Sequence, residues 1–145
     1  RISPKGGMWG FFGWHTVSAP TTTSNSERAI ILTEGEYDAM AVCQGLSVLP
    51  DGDPLKNVPA ISLPNGCGSL PAQLIPLLDP FDKIYLWFDN DKSGQDACAK
   101  FIPKLGEGRC VVVVPDHEIK VRFILTCCVL HLFAIFFTYI LIIYF

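Results

Sequence analysis

The sequence predicts an α/β fold, a mainly parallel sheet with helices on both faces, and three observations carry that prediction. Short apolar runs recur at residues 29–33, 60–63, 84–88 and 110–114. These runs are mostly continuous rather than alternating, as in strands buried on both sides. Between them lie stretches with helical spacing or helix-compatible punctuation, and strands separated by such stretches need crossover connections, which produce parallel neighbours.

The chain of 145 residues is long enough for one ordinary domain with a core and too short for two, so one domain with appendages is expected. We divide it into a lead-in and linker (1–25), the α/β domain (26–116) and an apolar tail (117–145). The first residue is Arg1, and nothing near it has the layout of a secretory signal, so the chain reads as a piece of something longer.

In the lead-in, four glycines separate aromatic residues over positions 1–14 without a period of 2 or 3.6. An irregular segment that buries Trp9, Phe11 and Trp14 against the domain is expected. Residues 18–27 form a polar Ser/Thr run with one proline, which marks a linker or long surface loop.

The domain opens with A-I-I-L-T at 29–33, the first strand. A helix follows over 37–44, with Ala39, Met40, Val42 and Cys43 at near-helical spacing and Gly45 positioned to end it. A-I-S-L at 60–63 is the second strand, N-G-C-G at 65–68 a turn, and 71–78 a short helix that tolerates proline in its first turn. I-Y-L-W-F at 84–88 is the third strand, 93–105 a helix and 110–114 the last strand.

Ligands of such sheets sit beyond the carboxyl ends of the strands. Acidic residues stand at two of those ends. Glu34 follows the first strand and precedes Gly35, and Asp89 and Asp91 follow the third. In an extended segment residues two apart point the same way, so Asp89 and Asp91 can serve one point while Asn90 faces elsewhere. If the two strands are neighbours, Glu34 lies close by.

Clustered carboxylates stay ionised only where a cation or donors offset their repulsion. Hard oxygen ligands with open water positions suit magnesium. The competing reading for an Asp after a strand is a turn or helix cap, and Glu36 and Asp38 near a helix start complement its dipole.

The motifs T-E-G-E-Y-D-A-M-A-V (33–42), I-S-L-P-N-G (61–66) and F-D-K-I-Y-L-W-F-D-N-D-K-S-G (81–94) together resemble the TOPRIM domain. They are most similar to that domain in the phage-type primase-helicases and their mitochondrial relative, the Twinkle helicase. The lead-in G-M-W-G-F-F-G-W is similar to the segment preceding this domain in Twinkle-like proteins.

The resemblance implies that Glu34 is a metal ligand or general base, that Asp89 and Asp91 are magnesium ligands, and that Gly35 and Gly94 are backbone positions beside the site. It further implies a replicative DNA helicase as the parent, acting on single-stranded DNA as a homo-oligomeric ring in the mitochondrial matrix and nucleoid. In primase members the metal activates a ribonucleotide hydroxyl and neutralises the triphosphate.

Several features depart from that pattern. Eleven basic residues against 14 acidic ones, a net charge of −3, leave no basic footprint, so a DNA-binding role needs help from elsewhere. Only Arg1, Lys5 and Arg28 are basic before Glu34. Asp116 and Glu118 lie near a further acidic position of the phage enzymes without aligning to it clearly. No G-x-x-x-x-G-K-[ST] loop occurs, so ATP belongs to a helicase part outside this chain. The six cysteines, 43, 67, 98, 110, 127 and 128, form no C-x-x-C pair, which argues against zinc and for scattered thiols of an intracellular chain.

The tail has two readings. Residues 123–145 contain no formally charged side chain and are numerous enough to cross a bilayer, with Lys120 and Arg122 on the non-translocated side. That reading goes with a third function class, a membrane-anchored α/β phosphate-binding protein. Alternatively, Lys120-Val121-Arg122 can be encoded as an exon end followed by a splice donor, and the tail is then translated intron.

Overall fold

The computed structural model describes residues 10–17, 27–115 and 140–144. Trp9, the Ser/Thr linker, Asp116, Glu118, Cys127, Cys128 and most of the apolar tail lie outside them, as do the membrane and intron readings of that tail.

Five strands form one sheet in the order β2-β1-β3-β4-β5, from β1 (Ala29–Thr33), β2 (Ala60–Ser62), β3 (Lys83–Trp87), β4 (Cys110–Pro115) and β5 (Ile140–Tyr144). The first four are parallel, and β5 runs antiparallel to β4. Three helices connect the parallel strands: α1 (Glu36–Ser47), the one-turn α2 (Ile75–Leu78) and α3 (Lys92–Leu105). Among the described residues, no helix is long and apolar enough to cross a membrane.

The continuous apolar runs become strands with two buried faces. Ile30 and Leu32 of β1, Ile84 and Leu86 of β3 and Ile61 of β2 pack with Leu78 of α2 and Ala97, Phe101, Ile102 and Leu105 of α3. On the other face, Ile31, Trp87, Ala60 and Val113 meet Ala41, Val42 and Leu46 of α1. Phe88 and Phe101 join sheet to helix edge-on, with ring centroids 6.0 Å apart. Helices on both faces, as the sequence predicts, are thus required by the sheet itself: either face alone would expose a row of aliphatic side chains.

Boundaries move where packing overrides local signals. Gly45 does not end α1. It is buried on the side packed against the sheet, and the helix continues to Ser47, whose hydroxyl donates to the Gln44 carbonyl at 2.7 Å. The segment at 71–78 begins as a 3-10 turn (Ala72–Leu74) before α2, with Pro71 extended ahead of it. Pro103 lies inside α3 near its end.

The lead-in packs as expected at Phe11 and Trp14. Phe11 is in the core, Trp14 lies 5.9 Å from its ring, and Trp14 meets Phe81 edge-on at 6.4 Å. Phe12 also forms an antiparallel bridge to Ser62, each backbone N–H donating to the other's carbonyl, at 3.2 and 3.1 Å. The outer edge of β2 is thereby partly covered. Gly13 makes the approach feasible: its φ is +80°, and a Cβ there would stand 3.0 Å from the Ala60 carbonyl oxygen.

At the opposite end of the strands, Arg109 ties helix ends together. Its guanidinium donates to the carbonyls of Leu78 (2.9 Å) and Asp79 (3.3 Å) at the end of α2, Phe81 (3.0 Å) before β3, and Leu105 in the last turn of α3. A cation at two helix carboxyl ends satisfies carbonyls with no helical partner and opposes both dipoles. A lysine cannot reproduce this fan of donors. Arg109→Lys should therefore lower unfolding free energy by about 1–3 kcal/mol, measured as a shift in the urea midpoint without a change in slope.

Candidate functional site

The connections set where the sheet can open. From β1 the chain passes through α1 to β2 on one side, whereas β3 passes through α3 to β4 on the other. The segments leaving β1 and β3 therefore diverge to opposite faces, which creates a crevice at the carboxyl ends of these two strands. The β1–β3 ladder closes with Thr33 opposite Trp87. Glu34 follows that pair by one residue and Asp89 by two, so the sequence-predicted carboxylates flank this reversal.

Glu34 is held by what surrounds it in the chain. Thr33, fully buried, directs its hydroxyl to the carbonyls of Gly35 and Ile61, each at 3.1 Å. The Gly35 N–H donates to the Asp38 carboxylate at 3.1 Å, the reciprocal half of a capping box that starts α1. Asp38 thus caps the helix in addition to the dipole role expected of it, and Glu36 lies exposed in the first turn.

Asp91 is the N-cap of α3, and its Oδ1 accepts from the Gly94 N–H at 2.9 Å. The N-cap reading of this residue is therefore realised, and the carboxylate keeps a second oxygen for another partner. Gly94 sits where a side chain would collide: a Cβ would lie 2.2 Å from the Asp89 carbonyl oxygen. Asn90 turns toward the helix, its Oδ1 accepting from Gln95 Nε2 at 3.2 Å. The amino ends of α1 and α3 both open onto the crevice, where their positive dipole ends favour negative charge.

Cys67 joins the parts. It lies in the segment between β2 and the 3-10 turn, and its Sγ is 3.1 Å from the Ser93 hydroxyl in the first turn of α3. Burial pushes its thiol pKa up, a hydrogen bond with Ser93 opposes that, and hydrogen bonding with Glu34 and the charges of Glu34 and Asp91 raise it further. Glu34 and Asp91, 57 positions apart in sequence, thus act on one sulfur atom.

Asp89 is half-buried and lines a different space, a cleft of about 520 Å³ between α3 and β4 bounded also by Cys98, Ile102 and Val113. In the same region burial pushes the Cys98 thiol up to about 11. Cys43, Cys67, Cys98 and Cys110 are free thiols, the last three buried.

Among the described residues, no three His, Cys, Asp or Glu side chains are gathered closely enough to hold a metal ion by themselves. The arrangement that is present consists of hard oxygen donors at two strand ends beside two helix amino termini. Thr33, Cys67 and Ser93 were not singled out by sequence reasoning. Their signal is faint: a threonine ending an apolar strand, and small polar residues next to a turn.

A family model described as Toprim-like matches residues 31–120. Two solved structures are similar. One is a bacteriophage T7 lagging-strand DNA polymerase with the primase domains of two gp4 subunits bound to an RNA/DNA hybrid and dTTP. It matches with 23% identity, a TM-score of 0.56, and coverage of 80% of this chain and 57% of that one. The other is the primase fragment of the bacteriophage T7 primase-helicase, with 24% identity, a TM-score of 0.54, and coverage of 72% and 41%. At these identities the likeness shows a shared fold, and this chain spans less than two thirds of either.

Two outcomes test the geometry. Gly94→Ala should destabilise the protein by roughly 1–3 kcal/mol through overpacking against the Asp89 carbonyl, measured by thermal or urea unfolding. Glu34→Gln removes a neighbouring charge that disfavours the thiolate, so Cys67 should titrate lower. Peptide mapping should then find faster iodoacetamide modification of Cys67 near pH 8.5 than in the wild type.

Proposed function

The chain belongs to the Toprim-like family, and we propose that it is the magnesium-binding α/β domain of a replicative DNA helicase of primase-helicase type. In this reading it works within a longer protein, in mitochondrial DNA replication and unwinding, on single-stranded DNA and within a homo-oligomeric ring. The T-E-G-E, S-L-P-N-G and D-N-D motifs support the ancestry, and the aromatic lead-in supports the Twinkle-like branch.

The observation that carries the metal reading is the position of Glu34 directly after β1 and of Asp89 and Asp91 after β3, the carboxyl ends of two paired parallel strands at the point where the sheet reverses. The donor set fits magnesium, which commonly takes one or two protein carboxylates and completes its shell with water and substrate phosphates. Glu34 and Asp91 would hold the ion, with Asp89, which follows the same strand as Asp91, as the third candidate ligand, and the ion when bound would neutralise phosphate charge. The protein's own part is positional. Thr33 and Gly35 fix the turn bearing Glu34, Asp91 holds the first turn of α3, and the two helix amino termini favour anions in the crevice.

A second reading is an active magnesium-dependent primase, and the retention of all three carboxylates favours it. In that case Glu34 is the group placed to accept a proton from an attacking hydroxyl. Template-directed primer synthesis by the complete parent protein separates the two readings. Equal primer yield from wild type and Asp89→Ala ends the primase reading.

The metal reading has its own test. Asn caps a helix about as well as Asp, so Asp91→Asn should keep the stability of the wild type while losing a charge at the ion. Titration calorimetry should show magnesium affinity weakened by about tenfold, and unchanged affinity would count against the assignment.

A further inference from the structure

The buried interior of β1 contains one hydroxyl, and we infer that Thr33 is a positioning residue that holds Glu34 at the crevice. For its functional meaning the inference rests on the magnesium reading above. Its geometric part stands independently.

Thr33 and Ser62 are the buried polar residues among those described, and Thr33 has no exposed surface. Packing alone does not call for a hydroxyl there. Valine has nearly the same shape, suits a strand equally well and avoids burying a polar group. What valine lacks is the proton that Thr33 Oγ1 shares between two carbonyls, those of Gly35 and Ile61.

The Gly35 carbonyl lies on the far side of Glu34, and the Ile61 carbonyl lies on the neighbouring strand. The Thr33 carbonyl is itself held by the Leu63 N–H at 3.1 Å, and the Gly35 N–H is held by Asp38 at 3.1 Å. The Thr33 carbonyl and the Gly35 N–H and carbonyl flank Glu34; the Gly35 carbonyl also accepts from the Ala39 N–H within α1, and among these contacts the Thr33 hydroxyl is the one that ties the turn after Glu34 to β2. Without it, the turn could pivot on Gly35 while the strand remained paired. A carboxylate that must meet an ion tolerates displacement of only about 0.5 Å.

The test uses Thr33→Val, Thr33→Ser and Glu34→Gln in the full chain, with two measurements: backbone amide exchange and magnesium titration calorimetry. In Thr33→Val, exchange at Glu34 and Gly35 should quicken by about tenfold while exchange within β3 is unchanged, and magnesium affinity should weaken roughly fivefold. Thr33→Ser keeps the hydroxyl and should stay within about twofold of wild type in both. Unchanged exchange at residues 34 and 35 in Thr33→Val overturns the inference. So does a uniform rise across the sheet, which marks a structural role only, and so does quickened local exchange with full magnesium affinity where Glu34→Gln loses it. If Glu34→Gln binds magnesium as wild type does, the metal reading fails instead, and the exchange result alone decides whether Thr33 holds Glu34.

Discussion

The ladder between β1 and β3 is the constraint on which the remaining geometry depends. These strands pair over five residues at the centre of the sheet, from Ala29 with Lys83 to Thr33 with Trp87. Sliding one strand by a single residue would exchange its two faces, moving Ile31 from the α1 side and Leu32 from the α3 side. Both faces are apolar, so register cannot rest on a contrast between oil and water. It rests on shape, with Trp87 fitted under α1 and Phe88 set edge-on against Phe101. The alignment of Glu34 with the third strand's acidic end is thus a product of core packing.

Electrostatics then works on what packing has aligned. Acidic groups at neighbouring strand ends repel, and the fold offsets this with the amino ends of α1 and α3 and with backbone N–H donors at Gly35 and Gly94. The rest of the surface contributes little positive charge, given the net charge of −3. The composition that places carboxylates at these strand ends therefore also leaves the surface with little attraction for a polyanion.

Much of this was legible in the sequence because the governing signals are local. A-I-I-L-T and I-Y-L-W-F read as buried strands, and an acidic residue directly after each located the candidate site. The packing of Phe11 into the core and of Trp14 against it was also foreseeable from aromatics set among glycines. Other features depend on partners far along the chain. Gly45 looks like a helix end until the close approach of α1 to the sheet is known, and Arg109 looks like a surface charge until its carbonyl partners at 78, 79 and 81 are found. Cys67 is silent for the same reason: its neighbours come from two distant segments, Glu34 after β1 and Asp91 and Ser93 at the start of α3. Asp91 was ambiguous between cap and ligand, and its two oxygens explain why the alternatives need not compete.

The bridge between Phe12 and Ser62 also determines how force enters the domain. Residues 10–17 join the sheet through two hydrogen bonds on the last paired residue of β2, through Phe11 in the core and through Trp14 packed against it. Ser62 lies five positions before Cys67, so tension along this strap is delivered to the segment whose thiol meets Ser93. The amino-terminal strap is in this sense a tether whose anchor point is beside the acidic crevice rather than on the remote side of the sheet.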